Sequence, residues 1–252
     1  NIGASLMRLT KYKEAEALFL EALSIRKKEF GAEHISVSST QYNLGATYYK
    51  LEEYDKAEPL LLQSLENKVK VLGNEHSSLE ATLITLADLS KRKERYNESE
   101  NFFLKALILR KKEFGIKHPQ VASILNNLEE MHFLQIGGEK EKTFRRYRER
   151  LGEDHWNVAL TLNKLAGFYF HRERYNEARI FLEWVIEIKE KDNGIETLEL
   201  SNNLVDIAKV NSLLEDNEAA ETFFLRAVKI QEKAMGPGNQ GMIPILVSQS
   251  HL

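Results

Sequence analysis

The sequence predicts an all-α fold, an open superhelix of about six stacked helix pairs, and three observations predict it. Glycine recurs at Gly31, Gly73, Gly115, Gly152, Gly194 and Gly236, in steps of 42, 42, 37, 42 and 42 residues. Tyrosine keeps the same interval at Tyr12, Tyr54 and Tyr96, returns at Tyr175 and gives way to Asn217. Each of these five positions falls in a similar phrase: YKEAEALFLEAL, YDKAEPLLLQSL, YNESENFFLKAL, YNEARIFLEWVI and NEAAETFFLRAV. Self-similarity at a fixed period of this size marks a repeat architecture, in which each unit buries its apolar face on the next.

The unit reads as two helices. Within residues 35–73, Val37, Leu44, Tyr48 and Leu51 fall on one side of a first helix, with Gly45 and Ala46 where a neighbour approaches closely. Leu61, Leu65 and Val69 form the buried stripe of a second helix. Asp55 with Glu58, and Asn97 with Glu100, are expected to open the second helix as capping boxes. Gly73 is expected to close it in a left-handed conformation. Small residues recur at Ala15, Ala57, Ser99, Ala178 and Ala220, and again at Ala22, Ser64, Ala106, Val185 and Ala227. They let helix axes close to the short end of about 8–10 Å. The repeats are expected to fill residues 1–235, with 236–252 a tail or truncated further repeat. The register puts Asn1 inside a unit, so the chain is expected to be a segment of a longer protein.

Composition excludes several function classes. The 252 residues are 42% apolar and 29% charged, which supports a folded core, and the net charge of −3 gives no global attraction to nucleic acid or anionic membrane. With no cysteine, disulfides, thiolate metal sites and cysteine nucleophiles are impossible. No apolar run approaches the roughly 18 residues of a membrane span, and NIGASLMRLTKY lacks a signal-peptide core. A cytoplasmic protein is expected.

Motifs with chemical potential resolve into structural ones. His34, His76, His118 and His155 are each a whole helix pair apart, too far to share a metal whose ligands sit about 2 Å away. They read as connectors before the first helix of a pair, and Pro119 after His118 suits a first turn. The glycine-rich GPGNQG at 236–241 follows a helix, where a dinucleotide loop must follow a strand. Paired carboxylates such as Glu52-Glu53 and Glu129-Glu130 have no base or nucleophile in company. No enzyme activity, cofactor or metal site is expected. The shortened fourth unit breaks the pattern at EKEKTFRRYRER, where Arg145, Arg146, Arg148 and Arg150 make a possible basic docking patch for an acidic partner or another domain of the parent chain.

The pairs Leu44-Gly45, Leu86-Ala87 and Leu165-Ala166, the aromatics Tyr48 and Tyr169, and the small residues of the second helix resemble the tetratricopeptide repeat (TPR). The 42-residue length and the phrases EFGAEH, VLGNEH, EFGIKHPQVA and RLGEDHWNVA, with LNNL at 125–128 and LNKL at 162–165, resemble kinesin light chain-type repeats. The resemblance implies a TPR solenoid, that is, a right-handed α-α superhelix, acting as an adaptor-like scaffold that binds a peptide or partner segment in its concave groove. It also leaves open a regulatory or sensor arm of a larger signalling protein, such as a STAND-type ATPase. Its implied partners are proteins, with neither nucleic acid nor membrane.

Taken at three- to four-residue intervals about the Leu44 position, the inner face of the first helices selects Tyr42, Tyr49, Ile84, Asp88, Lys91, Asn126, Glu130, Phe133, Asn163, Phe170, Val205 and Lys209. Asn126 and Asn163 match the first asparagine of the Leu-Asn-Asn-Leu motif, whose amide the resemblance implies holds a peptide backbone. The wall reads as aromatic and lightly charged, with Tyr49, Phe133 and Phe170 as anchors.

Overall fold

The computed structural model describes residues 2–136, 158–193 and 197–236. Gly152, Gly194, His155, the four arginines of the basic patch and the tail beyond Gly236 lie outside the described residues, as do the side chains of His132 and Phe133. The chain divides into two compact units, residues 1–150 and 151–252. The first contains α1 (Ile2–Arg8), α2 (Tyr12–Phe30), α3 (Ile35–Lys50), α4 (Tyr54–Leu72), a 3-10 turn (Ser77–Leu79), α5 (Glu80–Arg92), α6 (Tyr96–Phe114) and α7 (Pro119–Ile136). The second contains α8 (Val158–His171), α9 (Tyr175–Asn193), α10 (Leu198–Leu213) and α11 (Asn217–Met235). No strand occurs among the described residues, so the fold is all-α as the periodicity predicts.

Small side chains set how closely the two helices of a pair approach. Ala15, Ala57, Ser99, Ala178 and Ala220 are all fully buried. A Cβ added to Gly45 of α3 would come within 2.8 Å of the Leu61 side chain and 3.2 Å of the Ala57 carbonyl on α4. Ser64 and Ser99 turn the same closeness into hydrogen bonds, donating to the carbonyls of Ser38 and Ala87 at 2.7 and 2.8 Å. Leu44, Val37, Leu61 and Phe19 complete the apolar filling.

The turn inside each pair has a backbone device that the sequence does not advertise. Thr10, Glu52, Glu94, Glu173 and Glu215 adopt φ between 58° and 63°. Glu53 N–H donates to Tyr48 O at 2.9 Å and Glu52 N–H to Tyr49 O at 3.1 Å, and the other four turns repeat the pattern. This is the paired bond of a Schellman cap, built without glycine at the left-handed position. It corrects the expected capping boxes. Because the turn delivers the chain directly into α4 at Tyr54, Asp55 and Asn97 fall inside the helices, and neither α4 nor α6 has a side-chain cap. Asp55 and Glu58 instead reach Lys93 at 2.7 and 2.8 Å.

The glycine beat also differs in detail. Gly31, Gly73, Gly115 and Gly236 have φ of 80–84°, but their ψ of 157–168° places them in an extended region open essentially to glycine, outside the left-handed helical one. After Gly31, Gly73 and Gly115 the chain thus leaves the second helix extended and meets a histidine. His34, His76 and His118 accept the backbone N–H two residues on through Nδ1, at 3.2, 3.1 and 3.3 Å. His34 and His118 also stack on Phe30 and Phe114, with centroids 4.9 and 4.6 Å apart. The connector reading of these histidines acquires a mechanism: they cap the entry to the first helix of the next pair.

A polar clamp joins successive pairs. The expected stripe of α4 includes Val69, which is only half-buried; Lys68 beside it is 5% exposed. Its ammonium donates to Ser78 O at 3.2 Å and Thr82 Oγ1 at 2.9 Å and lies 4.9 Å from the Tyr42 ring centroid. One period earlier, Arg26 donates to Ser36 O and Thr40 Oγ1 at 3.1 and 2.7 Å. One period later, Arg110 reaches Gln120 at 2.6 Å and also pairs with Glu80. In the second unit Lys189 occupies the same place and meets Asn203 at 2.7 Å and Glu199 at 2.8 Å.

Candidate functional site

The residues selected for the inner face separate into three groups. In the first unit, Asp88, Lys91 and Glu130 come together: Lys91 on α5 pairs with Glu130 on α7 at 3.1 Å. Asp88 is half-buried beside them, and burial pushes its carboxyl above the usual carboxylate range while Lys91, Lys50 and Arg92 oppose the shift. Spacing alone does not select Lys50 and Arg92. Arg92 hydrogen-bonds Tyr49, whose phenol is nevertheless pushed up by burial. The inner side of this unit therefore carries more charge than the selected residues suggest.

The aromatics of the first unit are partly committed to packing. Tyr42 and Tyr49 both lie against the apolar core. Tyr42 also stands next to the Lys68 ammonium, and Tyr49 is 5.8 Å from the Tyr54 ring. Ile84 and Asn126 are half-buried, and the Asn126 amide oxygen is buried without a hydrogen-bond partner.

In the second unit, Asn163 and Phe170 on α8 and Lys209 on α10 line one pocket of about 370 Å³ between the two first helices. Phe170 makes an edge contact with Tyr175 at 5.7 Å, a counterpart of Tyr49 with Tyr54. Val205 is buried at 8% exposure and is not among the lining residues, so the inner-face reading of α10 is corrected by one position: Asp206, with Asn203 a turn earlier, borders the pocket. The physical reason is helical phase. Val205 and Asp206 are about 100° apart on a helix of 3.6 residues per turn, and a fixed register offset cannot tell which of the two the packing of α10 turns inward.

Polar groups in the pocket are ordered in a chain. Lys189 Nζ donates to Asn203 Oδ1 at 2.7 Å, and Asn203 Nδ2 donates to Asn163 Oδ1 at 2.8 Å. This fixes the Asn163 oxygen as an acceptor and leaves its NH₂ as the open end. Asp206 is exposed at the pocket's edge, yet the protein around its carboxyl still pushes it above its usual value, with Lys209 opposing.

Among the described residues no three His, Asp or Glu side chains converge as metal ligands, and no helix is long and apolar enough to cross a membrane.

A sequence-family model described as tetratricopeptide repeat matches residues 1–68 and 157–233, and a second with the same description matches residues 80–120. No curated protein matches the chain. Similar solved structures include a putative kinesin light chain from Podosopora anserina with nearly identical TPR-like repeats, 18% identical over 93% of each chain with a TM-score of 0.49. BtubC (BKLC) from P. vanneervenii is 17% identical over 94% of this chain and 80% of that one, with a TM-score of 0.45. The pilF protein of Pseudomonas aeruginosa is 16% identical over 100% and 95%, with a TM-score of 0.41.

Proposed function

Because the chain belongs to the tetratricopeptide repeat family, whose repeats generally mediate protein–protein interaction, we propose that it is a non-catalytic, adaptor-like scaffold of the cytoplasm. It holds an extended or helical peptide of a partner protein against the inner faces of its first helices. The observation that carries this reading is the second unit's pocket, where Asn163, Phe170 and Lys209 meet between α8 and α10. A concave site with an apolar wall and a few placed polar groups is the usual form of a binding site. The buried, unpaired amide oxygen of Asn126 gives α7 a polar group at the corresponding register position. Aromatic anchors such as Phe170 and Tyr49 would carry most of the binding energy.

The test is selection of peptides from a random displayed library on the full chain, followed by hydrogen exchange of the complex. The reading expects slowed exchange on α5, α7, α8 and α10, and loss of binding for Phe170→Ala. Peptides that protect only the second helices α4, α6, α9 or α11, or an absence of selected peptides, would overturn it.

A further inference from the structure

Three glycines lie inside helices among the described residues, and they differ in what surrounds them. A Cβ on Gly3 or Gly45 would strike Phe19 or Leu61 at 2.7 or 2.8 Å, so packing explains both. Gly167, in the middle of α8, would meet nothing within 4 Å. Glycine destabilises a helix interior relative to alanine, and no packing among the described residues requires it here. The space in front of it is the pocket.

The walls specify the guest. Leu182, Val210 and Ala166 supply apolar surface, and Phe170 supplies an aromatic one. The Lys189–Asn203–Asn163 relay ends in a donor, which suits a peptide carbonyl. Asp206 supplies an acceptor without an ion-pair partner among the described residues, and it and Lys209, one turn along the same helix, are both exposed at the pocket's edge. A carboxylate without an ion-pair partner at the mouth of an apolar pocket attracts an incoming cation. An apolar stem ending in a cationic head matches these walls in order, since such side chains lay their methylenes on apolar surface and extend the charge beyond it. Phe170 adds the attraction of an aromatic face for a guanidinium or ammonium.

We infer that this pocket is a socket for an arginine or lysine side chain of the bound partner peptide, with Gly167 providing room for the stem, Asp206 receiving the head and Asn163 holding the adjacent backbone carbonyl. The inference rests on the peptide-scaffold reading above and adds to it a residue preference.

The test uses the full chain labelled with nitrogen-15 and four probes at millimolar concentration: the N-acetyl amides of arginine, lysine, leucine and glutamate. The arginine and lysine probes should shift the Gly167 backbone and Asn163 side-chain amide signals, and the glutamate probe should not. Asp206→Asn should weaken the basic probes at least tenfold. Gly167→Leu should abolish them while leaving the helical circular dichroism intact, and Gly167→Ala should raise the melting temperature. No response to the basic probes, or equal responses to arginine and leucine that survive Asp206→Asn, would overturn the socket. The library selection separates the two readings. Peptides that protect α8 and α10 yet show no enrichment in arginine or lysine, and bind Asp206→Asn as they bind the wild type, would refute the socket and leave the scaffold standing. Basic probes seated at Gly167, with selected peptides bound only to the second helices, would refute the scaffold and leave only the pocket's preference for a basic side chain.

Discussion

The Lys68 ammonium on α4 donates to Thr82 Oγ1 on α5 at 2.9 Å, so the second helix of one pair is pinned to the first helix of the next by a buried cation. The bond to the Ser78 carbonyl and the nearby Tyr42 ring favour the charged form. Burial opposes it more strongly and pushes the ammonium from 10.5 down to about 8.

That shift predicts an unusual pH dependence. The unfolded chain holds the Lys68 proton more tightly than the folded one, so this residue's contribution to stability rises as pH climbs from about 8 to 10.5. The full gain is on the order of 3 kcal/mol. Lys68→Met removes the titration and keeps the bulk. Denaturant unfolding of both proteins across this range should show wild-type stability increasing relative to the variant, and a constant difference would rule the effect out.

The two kinds of positive-φ residue should respond oppositely to substitution. A methyl at Gly73 would meet nothing within 4 Å, so Gly73→Ala is opposed by its backbone alone, at φ 82° and ψ 168°, and should destabilise by roughly 1–3 kcal/mol. Glu52 is exposed at φ 61°. Glu52→Gly relieves a left-handed residue and should leave stability unchanged or raise it by up to about 1 kcal/mol. Melting temperatures of the two variants, measured together, check the signs.

Gly45 and Gly167 form a similar contrast inside helices. Gly45→Ala drives a methyl into Leu61 and the Ala57 carbonyl and should cost about 1–3 kcal/mol. Gly167→Ala meets nothing and should stabilise by about 0.5–1 kcal/mol. Equal effects in chemical denaturation would contradict the difference in packing.

The histidine caps predict a rescue. His34→Ala removes both the acceptor for Ser36 N–H and the stack on Phe30, and should lower stability by about 0.5–2 kcal/mol. His34→Asn restores a capping oxygen and should recover part of that loss. An asparagine variant no better than alanine would show that the stack, and not the cap, holds the connector.

What can be read from the sequence is whatever repeats in residue type. Glycine, tyrosine and the small residues announce helix pairs and their close approach, because Ala57 or Ser99 can occupy that position and a large side chain cannot. Backbone conformation is not legible. Nothing about Glu52 or Glu94 as residues signals a left-handed turn, and once that turn is in place Asp55 has no role as a cap. Lys68 escapes a reading by hydrophobic pattern because lysine ordinarily faces water, although the recurrence of Arg26, Lys68, Arg110 and Lys189 is a signal of its kind. At the candidate site, Asn163, Phe170 and Lys209 line the pocket. Asp206 gives way to its neighbour Val205 in the sequence pattern, because spacing fixes a helix face only to within about one residue.

The clamp also bears on how a chain of this kind can change length. Arg26 and Lys68 seek the same two acceptors, a serine carbonyl and a threonine hydroxyl four residues later: Ser36 with Thr40, and Ser78 with Thr82. Excising residues 36–77 in phase would present Arg26 with Ser78 and Thr82 in place of the partners it lost. Lys189, by contrast, is matched to Asn203 and Glu199, a pairing that a transplanted serine and threonine would not reproduce. Duplication or loss of a period is therefore chemically seamless at one place in the chain and leaves a mismatched joint at another, so gene-level copying errors would be tolerated unevenly along it.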